Sequence, residues 1–264
     1  MSGQNPPEGA DINYYLREKS KDSVEVLVLN ANRDVIQKIN GRNRPGINRV
    51  WWDLRHQEYV FPKLRTKPRG KDWVQQDEKG ERNLFIFDLD IGPGMTPPLV
   101  PPGVYTIVLK AHGKEYSQTV NVLKDPNTKG TEGDIGKQYA FGMKLYSTTT
   151  TTLQLIDEME KMRASLLAKK GDKKAAALED KVYQLEAGLH DIHQTGARMD
   201  IFRNPPQVLE RLLAMAKESQ IYSADAPPTN QQGEVYAETE QKLNDIKARF
   251  ENLKKTADVK NLLK

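Results

Sequence analysis

The stretch Arg44-Pro-Gly-Ile-Asn-Arg-Val-Trp-Trp-Asp-Leu-Arg55 (RPGINRVWWDLR) sets two adjacent tryptophans behind a Pro-Gly turn. Side chains alternate across a strand, so neighbouring indoles cannot both enter one core. Val50, Trp52 and Leu54 share one face, while Arg49, Trp51, Asp53 and Arg55 share the other. The first set is apolar, which makes Trp52 the expected core tryptophan of a small β domain. Trp51 then stands on the outer sheet face, with Arg49 placed to lie against its ring. Something should cover that indole: the chain's own Tyr59–Trp73 segment, a helix or a partner. The reading favours the segment, which starts next to the strand and carries its own aromatics.

Around this strand the first half of the chain is a run of short β segments. Residues 11–17 (DINYYLR), 23–29 (SVEVLVL), 35–39 (VIQKI), 46–54, 84–90 (LFIFDLD), 103–111 (GVYTIVLKA) and 115–123 (EYSQTVNVL) are rich in β-branched and aromatic residues. The His112-Gly113 pair between the last two predicts a tight hairpin. Seven short strands punctuated by turns predict an immunoglobulin- or fibronectin-like β-sandwich over residues 1–130. Residues 56–83 form a long polar stretch, broken by proline, expected as a loop inserted into that domain.

Eleven of the fifteen prolines and all three tryptophans precede residue 135; the chain then turns rich in Ala, Leu, Glu and Lys. The stretch 124–136 (KDPNTKGTEGDIG) is the expected linker to a four-helix antiparallel bundle over 137–264, giving an α+β multidomain protein. Leu145, Thr152, Ile156, Met159 and Leu166 stripe the first helix. Leu178, Val182, Leu185, Leu189 and Ile192 form a heptad-like seam on the second, after a Gly171-Asp172 turn. A third helix starts behind Asn204-Pro205-Pro206, and a fourth carries Tyr236, Leu243, Ile246, Phe250 and Leu253. The run Thr148–Thr152 consists of mediocre helix formers and implies a helix held by tertiary packing.

Composition narrows the functional classes. The 264 residues are 37% hydrophobic and 29% charged, with 40 basic against 36 acidic side chains and no cysteine. Thiol catalysis, disulfides and thiolate zinc sites are thereby excluded. A net charge of +4 with lysines interspersed among glutamates argues against nucleic acid as a partner. No apolar run is long enough to span a membrane as a helix, and the N-terminal residues lack the apolar core of a secretion signal. G-x-S-x-G, phosphate-cradling glycine loops and H-E-x-x-H are all missing, so no cofactor or catalytic motif is legible. Glu186, His190 and His193 fall at i, i+4 and i+7 on one helical face, yet no second Glu-x-x-His supplies the other half of a bundle metal site. They are expected as solvated polar residues beside the seam. Asp88 and Asp90 alternate on one strand face, with Asp53 in the same domain. Such a pair suits turns and edges more often than acid–base hydrolysis or calcium.

The motifs NPPEGADINYYL (5–16), VEVLVLNANRDVIQKI (24–39), RPGINRVWWDLR (44–55), KLRTKP (63–68) and LVPPGVYTIVLKAHGKEYSQTVNVLKDP (99–126) occur in an order that resembles the C-terminal region of large bacterial BNR/sortilin-type β-propeller proteins, glycosyl-hydrolase-like by label. The β part is also similar to the Ig-like domain of flagellar hook-capping proteins. YAFGMKLYSTTTTTLQLIDEMEKMR (139–163) and ADAPPTNQQGEVYAETEQKLNDI (224–246) resemble the helical tail of the propeller proteins. The resemblance implies a periplasmic or extracellular module that accompanies a propeller, and it transfers no catalytic residue onto this chain. A non-catalytic docking module, partnering the propeller or another exported protein, is the function expected first. A carbohydrate-binding module is the alternative, with Trp51, Tyr59, Phe61 and Trp73 as stacking candidates and a glycan as ligand. A hydrolase using Asp88 and Asp90 comes third.

Overall fold

Alternation along Gly46–Trp52 is what builds the first sheet: Asn48, Val50 and Trp52 are buried while Ile47, Arg49 and Trp51 are exposed. The computed structural model describes residues 8–84, 95–195, 203–220 and 225–262. Among these the chain is α+β, with antiparallel strands preceding the helices. The strands are β1 (Ala10–Leu16), β2 (Glu25–Leu29), β3 (Val35–Asn40), β4 (Gly46–Trp52), β5 (Lys63–Leu64), β6 (Arg82–Asn83), β7 (Gly103–Ala111) and β8 (Lys114–Val122). The helices are α1 (Glu132–Leu167), α2 (Lys173–Glu186), α3 (Val208–Gln220), α4 (Asn230–Lys254) and the short α5 (Ala257–Leu262). The residue 84–90 segment lies outside the described residues beyond Leu84.

Two compact units result. The first comprises residues 1–58, 97–139 and 224–227. It holds the β1–β4 pair and a four-stranded sheet of order β3-β2-β7-β8. Residues of both sheets, including Tyr14, Leu16, Val26, Val28, Val50, Trp52, Tyr105 and Ile107, form one apolar cluster. Trp52 sits fully buried in it, edge-on to Tyr105 at 5.3 Å, and its indole N–H donates to the Arg55 carbonyl at 3.0 Å. The β7–β8 hairpin turns on His112 and Gly113 at φ 53° and 68°. Two successive left-handed residues make the turn whose twist suits a two-residue hairpin.

The second unit contains residues 59–96, 140–223 and 228–264. Its core joins Leu145, Ile156 and Met159 of α1 to Leu178, Val182 and Leu185 of α2, Leu209 and Leu212 of α3, and Leu243, Ile246 and Phe250 of α4. Asp172 caps α2 by accepting from the N–H groups of Lys174 and Ala175, and Thr229 with Gln232 completes a capping box on α4. The threonine run lies inside α1. Thr148, Thr149 and Thr152 are buried, and the hydroxyls of Thr150, Thr151 and Thr152 donate to carbonyls four residues back.

Two expectations change. Residues 59–96 belong with the helices and are not a loop of the β domain: Tyr59, Leu64 and Leu84 are buried members of the helical core. The contact units therefore do not divide at one point between 130 and 137. The excursion leaves and re-enters the β unit through a clamp at its base. There the His56 N–H donates to Pro98 O, Val100 N–H to Leu54 O, and the Arg55 guanidinium to Pro97 O. The second change concerns the seam. α2 ends at Glu186, so Leu189 and Ile192 are buried beyond the helix, in the turns that lead towards α3.

Candidate functional site

Three places collect the residues singled out in the sequence, and each lies within one unit. The first is the outer face of the β1–β4 pair. Its register sets Tyr15 opposite Ile47, Asn13 opposite Arg49 and Asp11 opposite Trp51. Ile47 is 82% exposed, Tyr15 68% and Trp51 36%. Arg49 does not lie on the Trp51 ring as expected. Its Nε donates to Asn13 Oδ1 at 2.8 Å and approaches Asp11 at 3.5 Å, because cross-strand acceptors outcompete the weaker pull of an indole face. The face is a two-stranded surface of large exposed apolar groups, crossed by one polar ladder.

The second place holds the aromatics of residues 59–73. Tyr59 and Phe61 turn inward, with ring centroids 6.0 Å apart, and Tyr59 meets Tyr146 of α1 at 5.0 Å. Burial pushes the Tyr59 phenol well above its ordinary range. Tyr59 fills helical core space and is not available as a stacking platform, while Phe61 is half-buried against that core. Trp73 behaves differently. It is 65% exposed and lines a shallow groove of about 640 Å³ with Lys63, Gln75, Gln76, Asp77 and Asn83. An open indole beside amides and a carboxylate can stack on one face of a ring and hydrogen-bond its substituents.

The third place is buried. Arg163 of α1 lies among three carboxylates: its Nε is 2.9 Å from Glu179, and its Nη1 is 3.0 Å from Glu160 and 3.1 Å from Glu186. The Glu186 carboxylate also accepts from His190 Nε2 at 3.0 Å. Glu160 takes the N–H and hydroxyl of Thr66 and the N–H of Arg65. Arg69 reaches Glu179 and Asp180, with its guanidinium 3.7 Å over the Tyr183 ring. Burial would raise the Glu186 carboxyl, but His190 and Arg163 outweigh it and hold the pKa below the usual range. Burial and the neighbouring Glu186 instead keep Glu160 above that range, against the pull of Thr66 and Arg163.

Glu186 and His190 are thus not the solvated polar residues expected of them; both are buried. His193 stands apart from the pair, its ring against Tyr183 with centroids 6.5 Å apart. Charges on the apolar stripe of a helix are buried only when paired. Glu160 and Arg163 beside Ile156, Met159 and Leu166 were the sequence signal for this network. Its centre at Arg163, Glu160, Glu179 and Glu186 is closed to solvent, and its outer members tie residues 65–69 to α1 and α2.

Among the described residues no group of three or more His, Asp or Glu could hold a metal ion, and no helix is long and apolar enough to cross a membrane. Asp53 is exposed and accepts from the Arg55 N–H in a local turn. Asp88 and Asp90 lie outside the described residues. No family model, curated protein or solved structure matches the chain.

Proposed function

We propose that the chain is a non-catalytic docking module that engages an exported partner, the β-propeller of its own parent protein first among them. The reading rests on the outer β1–β4 face. Large apolar side chains at Tyr15, Ile47 and Trp51 remain exposed there, while the equivalent inward positions are filled. Exposed aromatics beside a central arginine are the composition of protein-binding surfaces. The resemblance of both halves to the region that follows a propeller supports the choice of partner. An immunoglobulin- or fibronectin-like sandwich carrying a helical bundle is the architecture that this reading gives the chain. The test is to mix the chain with a separately expressed propeller region and measure binding by calorimetry. Complex formation that Ile47→Asp weakens at least tenfold is the expected result, and no binding to wild type would sink the proposal.

The Trp73 groove favours a second reading, a carbohydrate-binding module. Trp52 is buried and Trp51 does not line the groove, so a saccharide bound there would report through Trp73. Fluorescence titration with oligosaccharides picked from a glycan array should show a change that Trp73→Ala removes. An array without hits would eliminate this second reading.

A further inference from the structure

The two edges of the four-stranded sheet are treated differently. At one edge, β3 is short, its pairing with β2 is interrupted by a register shift, and it carries Lys38. The chain itself then covers it: the Gln57 N–H donates to Ile36 O, and the Lys38 N–H donates to the Gln57 side chain at 3.0 Å. These are the usual protections of a sheet edge. At the other edge, β8 has only the charged pair Lys114 and Glu115 at its start. It runs for nine residues, every one of them at least partly exposed, and has neither proline nor glycine. Beyond Lys114 and Glu115 it is uncharged. No described strand pairs with its far side.

The hairpin fixes which backbone groups are open. A two-residue turn makes Ala111 and Lys114 a hydrogen-bonded pair, and pairs then alternate along the ladder. Residues 114, 116, 118, 120 and 122 therefore spend their N–H and C=O groups on β7. Glu115, Ser117, Thr119 and Asn121 point theirs outward, away from the sheet. On the inner face, Tyr116 lies opposite Leu109 and Val120 opposite Tyr105, yet Tyr116 is 55% exposed. A groove of about 800 Å³, lined by Tyr14, Leu16, Ile107, Leu109 and Tyr116, opens beside this strand.

We propose that this edge pairs antiparallel with β8 of a second copy of the chain, in a register centred on Gln118. A two-fold axis at Gln118 sets Ser117 against Thr119 and Glu115 against Asn121 of the second copy, so outward-pointing backbone groups meet one another. On the inner face it sets Tyr116 against Val120 twice, an aromatic to β-branched pairing that stabilises sheets. Lys114 meets Val122, so no like charges oppose. The register thus covers the exposed Tyr116, and it stands apart from whichever partner the β1–β4 face takes.

Because the chain has no cysteine, Gln118→Cys introduces a single thiol at the axis. The two thiols, one from each copy, would sit on a non-hydrogen-bonded pair with Cα atoms about 4.5 Å apart, within disulfide reach. With oxidised glutathione as oxidant, Gln118→Cys should give a covalent dimer, and Asn121→Cys, whose thiols lie off the axis, should not. Sedimentation of the wild-type chain should show a concentration-dependent dimer. Thr119→Pro should abolish it without lowering the melting temperature, since that N–H makes no bond within the chain's own ladder. Ser117→Lys should do the same by placing like charges at the edge. A wild-type monomer at every concentration, equal crosslinking at 118 and 121, or a dimer that persists in both edge variants would overturn the proposal.

Discussion

Arg163 Nη1 lies 3.1 Å from Glu186 Oε2, with both side chains fully withdrawn from solvent. Glu160 and Glu179 take the remaining reach of the same guanidinium. One cation is therefore shared by three acids from two helices, and each acid leans on it. Arg163→Ala leaves buried carboxylates uncompensated, and losses of about 3–5 kcal/mol follow when a buried pair is broken from one side. Lysine should not rescue it, because a point ammonium cannot serve three carboxylates in a fixed fork. Urea unfolding of both variants measures this.

The acid response follows from Glu186. Its pKa in the folded chain lies below the ordinary carboxylate value, so the ionised form is the one the fold favours. The corresponding stability is complete above about pH 4.3, the unfolded value, and is lost as pH falls through the depressed folded value. Glu160 has the opposite sign. With its pKa raised, the folded chain takes up that proton first, and stability grows as pH falls from the raised value to the ordinary one. Chemical denaturation at a series of pH values should show Glu186→Gln flattening the loss below about pH 4. Glu160→Gln should flatten the gain above it.

The adjacent tryptophans should separate by energy as they do by exposure. Trp52→Ala empties a fully buried site packed on Tyr105 and should cost about 3–5 kcal/mol. Trp51→Ala, on the outer face, should cost about 1 kcal/mol or less. Equal, core-sized losses in equilibrium unfolding would show that both faces of β4 are structural.

A fragment of residues 137–264 should be much less stable than the helices are in the full chain. It lacks Tyr59, Leu64 and Leu84 from the core and Thr66 from Glu160. Circular dichroism should show a low, broad melt that sharpens when a peptide of residues 59–96 is added. An undiminished, cooperative melt of the fragment alone would mean that the polar clip adds little.

Alternation and helical spacing made strands β1 to β4, β7 and β8, the inward Trp52 and the seam as far as Leu185 legible in the sequence, because burial of regular elements leaves a period. The two-residue β5 and β6 and the turn positions of Leu189 and Ile192 gave no such signal. The docking of residues 59–84 left none. Its contacts run from single backbone N–H groups at Arg65 and Thr66 to one carboxylate, and from one guanidinium at Arg69 to another pair. Such bonds need residue types common on any surface. Arg163 was hidden for a related reason: a charged residue at helical spacing resembles a solvated one until its partners, 16 and 23 residues further on, fold back against it.

The excursion between the clamp residues 56 and 98 also imposes an order of events on a ribosome. The sheets are complete once β8 has emerged, whereas Tyr59, Leu64 and Leu84 must wait for helices made later. At roughly 5–20 residues per second, the sixty or so residues from the end of β8 to the end of α2 occupy about 3–13 seconds. Through that interval the chain carries a finished clamp from which a segment with apolar anchors at Tyr59, Leu64 and Leu84, and basic side chains at Arg65 and Arg69, waits for its helical counterparts. The nascent protein therefore has its most vulnerable span in the middle of its sequence, where a chaperone that shields apolar segments would find its natural substrate.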